Sequence, residues 1–220
     1  MGIAVLVMGE SGSGKTSSLR NFKDDEVSIL NVASKPLPFR NKNKLKMANK
    51  ATYSMIKGAV SSGRTPSYVI DDAQYLMAFE SFDKVNETGF TKFTQMAKNY
   101  EDMLRYIQEE TDPNVIVYVL QHIEKDEDGK IKVKTLGKML DQQLTVEGLF
   151  SIVLLAQTDG KKHYFITQSD GTNSCKSPME MFEDVEIDND LKMVDDLIRE
   201  YYGLDRNIVK KPVTKKVKEN

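Results

Sequence analysis

The chain has 220 residues, 40% hydrophobic and 29% charged, with 31 basic against 33 acidic side chains and a formal net charge of −2. That length allows about one and a half domains, and the composition excludes collagen-like, low-complexity and wholly disordered classes. The near-neutral balance excludes a surface that coats nucleic acid as a whole, and one cysteine, Cys175, beside only His122 and His163 excludes an internal disulfide and a structural zinc site.

Met1-Gly2 leads directly into the apolar run Ile3 to Met8, with no basic stretch or small-residue cleavage site before it. A cytoplasmic protein without a secretory leader is therefore expected. This run and Val115 to Leu120 are the longest apolar stretches and fall far short of the roughly 20 residues that span a bilayer, so no membrane helix is expected. A short continuous run bounded by glycine reads as a strand buried on both faces. Further strands are predicted over Val27 to Val32, Tyr68 to Ile70, Val115 to Leu120, Ile152 to Ala156 and His163 to Thr167.

Between the strands lie helical patterns. Phe93, Met96, Ala97, Tyr100, Leu104 and Ile107 recur at helical spacing before Pro113, and Leu191, Val194, Leu197, Ile198 and Tyr201 repeat the pattern up to a stop at Gly203. Such stripes are core packing. Strands alternating with helices predict an α/β fold, a mostly parallel sheet with helices on both faces. Residues 1–209 form one domain in this reading, and Lys210 to Asn220, with five lysines and one glutamate, form a basic mobile tail. A second acid-free basic stretch holds Arg40, Lys42, Lys44, Lys46 and Lys50, while Glu180, Glu183, Asp184, Glu186, Asp188 and Asp190 make an acidic one. Runs like these are commonly solvated faces.

The chemistry lies after the first strand. Gly9-Glu10-Ser11-Gly12-Ser13-Gly14-Lys15-Thr16 matches G-x-x-x-x-G-K-[ST], the phosphate-binding loop, and Ser17 to Arg20 is expected to open a helix. The glycines let backbone N–H groups turn inward around phosphates. Lys15 is expected to reach the β- and γ-phosphates of ATP, and Thr16 to hold Mg²⁺ through its hydroxyl. Asp71, ending the strand Tyr68 to Ile70, is the second magnesium residue. Asp72 either orients the attacking water as a base or serves only as a helix N-cap. Gln121 and His122, at the end of another core strand, are positioned to sense the γ-phosphate, Gln121 the better suited because an amide both donates and accepts.

With these residues in place, the chain resembles RecA-type P-loop ATPases in the loop GESGSGKT, the strand YVIDD and the strand VIVYVLQH with its Gln121. The segments KTLGKMLDQQLTVEGLF, from Lys134 to Phe150, and TQSDGTNSCKSPMEMF, from Thr167 to Phe182, are similar to the small phage-encoded RecA-like proteins of the Sak type. The resemblance covers roughly Gly2 to Tyr202. It implies a magnesium-dependent, DNA-stimulated ATPase acting on single-stranded DNA in recombination or annealing and assembling as a ring or filament. One departure is that RecA proteins carry a catalytic glutamate after the second strand, where this chain has Ala33, Ser34 and Lys35. The resemblance also implies DNA contact by the loop after the Gln-ended strand, here Glu124 to Lys134, with Lys130, Lys132, Lys134 and Lys138 as the cations; a solvated turn at Asp128-Gly129 is the alternative. Lys161 and Lys162 match cations that reach a neighbouring protomer's phosphate, or sit in a charged turn at Asp159-Gly160. Two other readings stay open: a small-molecule P-loop kinase, disfavoured by six scattered arginines, and a nucleotide-controlled interaction module with little hydrolysis.

Overall fold

The structure, a computed structural model, describes residues 2–136, 140 and 144–206. Lys138 and the basic tail 210–220 lie outside the described residues. Nine strands are described: β1 (Ile3–Gly9), β2 (Val27–Asn31), β3 (Lys46–Asn49), β4 (Ser67–Asp71), β5 (Ile116–Lys125), β6 (Ile131–Val133), β7 (Ile152–Thr158), β8 (His163–Ile166) and β9 (Glu186–Asp188). The helices are α1 (Tyr53–Ser62), α2 (Gln74–Asp83), α3 (Thr91–Glu110) and α4 (Leu191–Tyr202).

The sheet order is β3-β2-β4-β5-β1-β7-β8-β9, with β6 paired to the far end of β5. Strands β1 to β5 and β7 run parallel, while β8 and β9 are antiparallel additions at one edge. This is the α/β class expected, with a mostly parallel sheet. Alternation along β1 sends Leu6 and Met8 into a core with α1, α2 and α3, and Val5 and Val7 into a second core with α4. All four side chains are fully buried, which is why the run reads as apolar without a break. Helices therefore cover both faces. Among the described residues no helix is long and apolar enough to cross a membrane.

Each predicted strand is present, β5 running on past its apolar stretch into a hairpin with β6. Both predicted helices form. Asp190 caps α4 by accepting from the Lys192 and Met193 amides, and Gly203 ends it in the left-handed region at φ 63°. One expectation is corrected. Instead of an α-helix, the phosphate loop opens into a six-residue 3-10 turn, Thr16–Asn21. Phe22 turns to extended geometry at φ −66° and ψ 151° and is wholly buried, so the chain leaves for β2 at once. The face a long helix would have covered is taken by α4, whose Leu191, Val194 and Ile198 pack with Leu19 and Phe22.

Candidate functional site

The parallel register brings the C-terminal ends of β1, β4, β5 and β7 to one edge of the sheet, where open α/β sheets place ligands. Gly9 pairs with His122 of β5 and Ala156 of β7. Strand β5 lies between β1 and β4, so Asp71 sits one strand away from the loop strand. The pocket at this edge is lined by Ser11, Gly12, Gly14, Lys15, Thr16 and Ser17 from the loop, Asp71 and Asp72 at the end of β4, His122, His163, and Lys35, Pro36 and Pro38.

The loop backbone is built for close approach. A side chain at Gly9 would meet Ser13 Oγ at 2.5 Å and the Ala156 carbonyl at 2.7 Å. Gly14 has φ 99°, and its missing Cβ leaves room for His163 and Asn189, whose nearest atoms would lie 3.0 and 3.1 Å away. Lys15 Nζ donates to the carbonyls of Gly9 and Glu10, each at 2.8 Å. Burial pushes this ammonium down to about 8 from its ordinary value, against the pull of Asp72 and Asp71. The buried hydroxyl of Ser13 has no hydrogen-bond partner among the described residues, a donor and acceptor held ready inside the loop.

Thr16 Oγ1 donates to Asp71 Oδ1 at 2.9 Å. This joins the two expected magnesium residues directly. Burial, reinforced by the adjacent Asp72 carboxylate, pushes Asp71 up to about 6. Asp72 behaves oppositely. Burial alone would raise it, but His122 and Lys35 hold it down at about 2. Lys35 Nζ lies 2.7 Å from Asp72 Oδ2 and His122 Nε2 lies 3.3 Å from Oδ1. Asp72 sits in the left-handed region at φ 61°, whereas an N-cap is extended. The N-cap of α2 is Ala73, and no side chain bonds there. The turn at Asp72 aims its carboxylate into the pocket.

Of the two residues expected to sense phosphate, His122 lines the pocket and Gln121 does not. Gln121 is fully buried, accepting from the Tyr100 hydroxyl on α3 and donating to the Lys134 carbonyl at 2.8 Å. Neighbouring residues on a strand point to opposite faces, so only one of the pair can face the ligand edge. Lys35 is the residue that sequence reasoning missed. It was visible there only as one of three residues, Ala33 to Lys35, in a stretch lacking the expected glutamate.

The cation candidates divide. Lys162 is tied to Glu186 at 2.6 Å, within the turn whose Asp159 accepts from the Lys161 and Lys162 amides. In the β5–β6 hairpin Lys132 pairs with Glu124 at 3.3 Å, and Asp126 closes the turn through the amides of Asp128 and Lys130. The segment 40–50 carries five cations, among them Lys46 at the start of β3 and Arg40, Lys42 and Lys44 on the loop before it, which is pinned by Asn41 accepting from the Leu45 amide and Asn43 donating to the Phe22 carbonyl.

Asp71 makes a testable contribution to the fold. Its pKa is raised above the unfolded value, so its contribution to stability is greatest below about pH 4 and is lost as pH rises through about 6. Asp71→Asn is expected to raise the nucleotide-free thermal midpoint at pH 8, by the equivalent of up to about 3 kcal/mol. That gap should close below pH 4, where the native aspartate is also neutral. A midpoint difference independent of pH would refute the assignment.

The residues fit a magnesium nucleotide: a glycine cradle with an unpartnered hydroxyl, a buried lysine, and a threonine–aspartate pair beside it. Bound there, Mg²⁺ would neutralise charge on the β- and γ-phosphate oxygens. With such a ligand bound, Lys15 could bind phosphate oxygens, Thr16 and Asp71 could hold the metal, and Asp72 could accept a proton. No protein-family model matches this chain, and no curated protein does.

Proposed function

We propose that this chain binds magnesium ATP and hydrolyses it as a RecA-like ATPase acting on single-stranded DNA, in the manner of phage recombination and annealing proteins, with nucleotide held between protomers of a homo-oligomer. The observation that carries the nucleotide reading is the Thr16–Asp71 hydrogen bond at 2.9 Å beside the loop lysine, which joins two motifs 55 residues apart at one sheet edge. The strand inserted between the loop strand and the aspartate strand, and the polar residues at its end, agree with the RecA resemblance. In the reaction a water oxygen bonds to the γ-phosphorus, the bridging oxygen leaves with its electron pair on the diphosphate, and Asp72 takes the water proton.

For the DNA, Arg40, Lys42, Lys44, Lys46 and Lys50 support the reading, because no ion pair to an acidic side chain is described for any of them, while Lys132 of the hairpin is paired. Phosphate contacts of this kind weaken steeply with salt. The test is ATP turnover measured with and without single-stranded DNA. Stimulation by DNA that disappears at high salt is expected, and no turnover in either condition would refute the enzyme reading.

One observation favours the second reading, a nucleotide-controlled interaction module with little hydrolysis. Asp72 is held by Lys35 and His122 at about 2, and a carboxylate so stabilised is a weak base. Nucleotide binding without turnover would select this reading.

A further inference from the structure

Lys35 ends the stretch Ala33 to Lys35 in which the resemblance expects a catalytic glutamate, and it places an ammonium at the mouth of the loop pocket. That pocket, about 220 Å³, is lined by Lys15 and Lys35 together. The positive charge of Lys35 is felt at Lys15, so an anion seated between them would relieve repulsion as well as gain two partners. The segment that carries Lys35 is held in shape on both sides. Ser34 turns in the left-handed region at φ 58° and its hydroxyl accepts from the Lys50 amide, while Pro36 and Pro38 follow and also line the pocket. The side chain of Lys35 is 55% exposed and rests over the Tyr75 ring at 5.2 Å. Asp72 is buried, so only the lysine end of the pair is free to swing, and Lys35 Nζ can turn from the carboxylate to a ligand in the same pocket while its stem stays at the surface. Asp72 would not be stranded by the loss, because His122 Nε2 remains 3.3 Å from its other oxygen.

We propose that Lys35 reads the terminal phosphate: its ammonium leaves Asp72 for the γ-phosphate of a bound triphosphate. The site then tells triphosphate from diphosphate. Lys15 holds both nucleotides through the phosphates they share; Lys35 holds only the longer one. This inference rests on the nucleotide reading above.

The experiment measures dissociation constants of the full chain for AMP-PNP and for ADP, each with Mg²⁺, by calorimetry, in the wild type, Lys35→Ala and Lys35→Arg. Loss of one charge-assisted hydrogen bond predicts about a tenfold or larger weakening of AMP-PNP binding in Lys35→Ala, with ADP changed by less than about twofold. Lys35→Arg should retain most of the preference for AMP-PNP. Thermal midpoints of the variants check that the fold is unchanged. Equal weakening of both nucleotides in Lys35→Ala, or no weakening of either, overturns the role of Lys35 while leaving the nucleotide reading in place. A wild type that binds neither nucleotide overturns that reading and the role of Lys35 with it.

Discussion

Lys15→Ala is expected to reduce ATP hydrolysis at least about a hundredfold, the scale seen when a positioned charge on the transferring phosphate is removed, with the fold intact. The ammonium is buried and satisfied by two loop carbonyls, and alanine takes both its charge and its reach away from the phosphates. Stability should be unchanged or raised. Burial holds the folded pKa of Lys15 at about 8, below its ordinary value of 10.5, so the charged form costs the native state most below pH 8, and that cost fades as pH rises towards 10.5. Alanine removes it. Circular dichroism and a thermal scan beside a turnover assay separate the two effects, and hydrolysis within a few fold of wild type would refute the role of the loop.

Asp195→Ala is expected to destabilise the protein by about 3–5 kcal/mol, the range for stranding one member of a buried ion pair. Asp195 is fully buried on α4 and pairs with Arg199 at 2.8 Å. Its other oxygen accepts from Ser67 at 2.5 Å and from Tyr118 at 3.1 Å. Arg199 in turn donates to the carbonyls of Pro66 and Asn114 at 2.8 and 3.0 Å. Burial and the Asp195 carboxylate push the Tyr118 hydroxyl well above its ordinary value, so it remains a donor throughout the range in which proteins are handled. The acid therefore ties α4 to the start of β4, which ends at Asp71, and to the middle of β5, which leads to His122. Urea unfolding should show the loss, and pairing Asp195→Ala with Arg199→Met should cost less than the sum of the two single changes. A single-variant loss below about 1 kcal/mol would mean that water reaches the pair.

How much of this was legible in the sequence follows from burial. Strands β1 and β5 are enclosed on both faces and so read as unbroken apolar runs; α3 and α4 bury one stripe each and read by their period. Strands β3, β6 and β9 are only three or four residues long, and of their residues only Val133 is buried, which leaves no run to detect. Helix α1 buries only Ile56 and Val60, too few for a stripe, although its Thr52 cap and Gly63 stop were both present. That Gly9 to Thr16 and Asp71 share one site was legible because the motif demands particular residues at particular spacing and Asp71 ends a core strand. Lys35 was not, since only the pairing of β2 with β4 brings it to Asp72. The choice between Gln121 and His122 depended on strand parity, and Val117 and Val119 packing towards α3 place Gln121 on that side with Tyr100.

The short turn after the phosphate loop has a consequence for how the protein comes into being. Arg20 donates to the Asn189 carbonyl at 2.6 Å and Asn21 to Asp190 at 2.7 Å, both across 169 positions of chain. Arg20 and Asn21 thus wait for 169 further residues to be made before this support arrives. Contacts of such long sequence separation form late, because chain closure must precede any gain from them. The loop pocket is therefore completed only once α4 has been made, and a nascent chain halted before α4 would display the motif Gly9 to Thr16 without the contacts that support the turn after it.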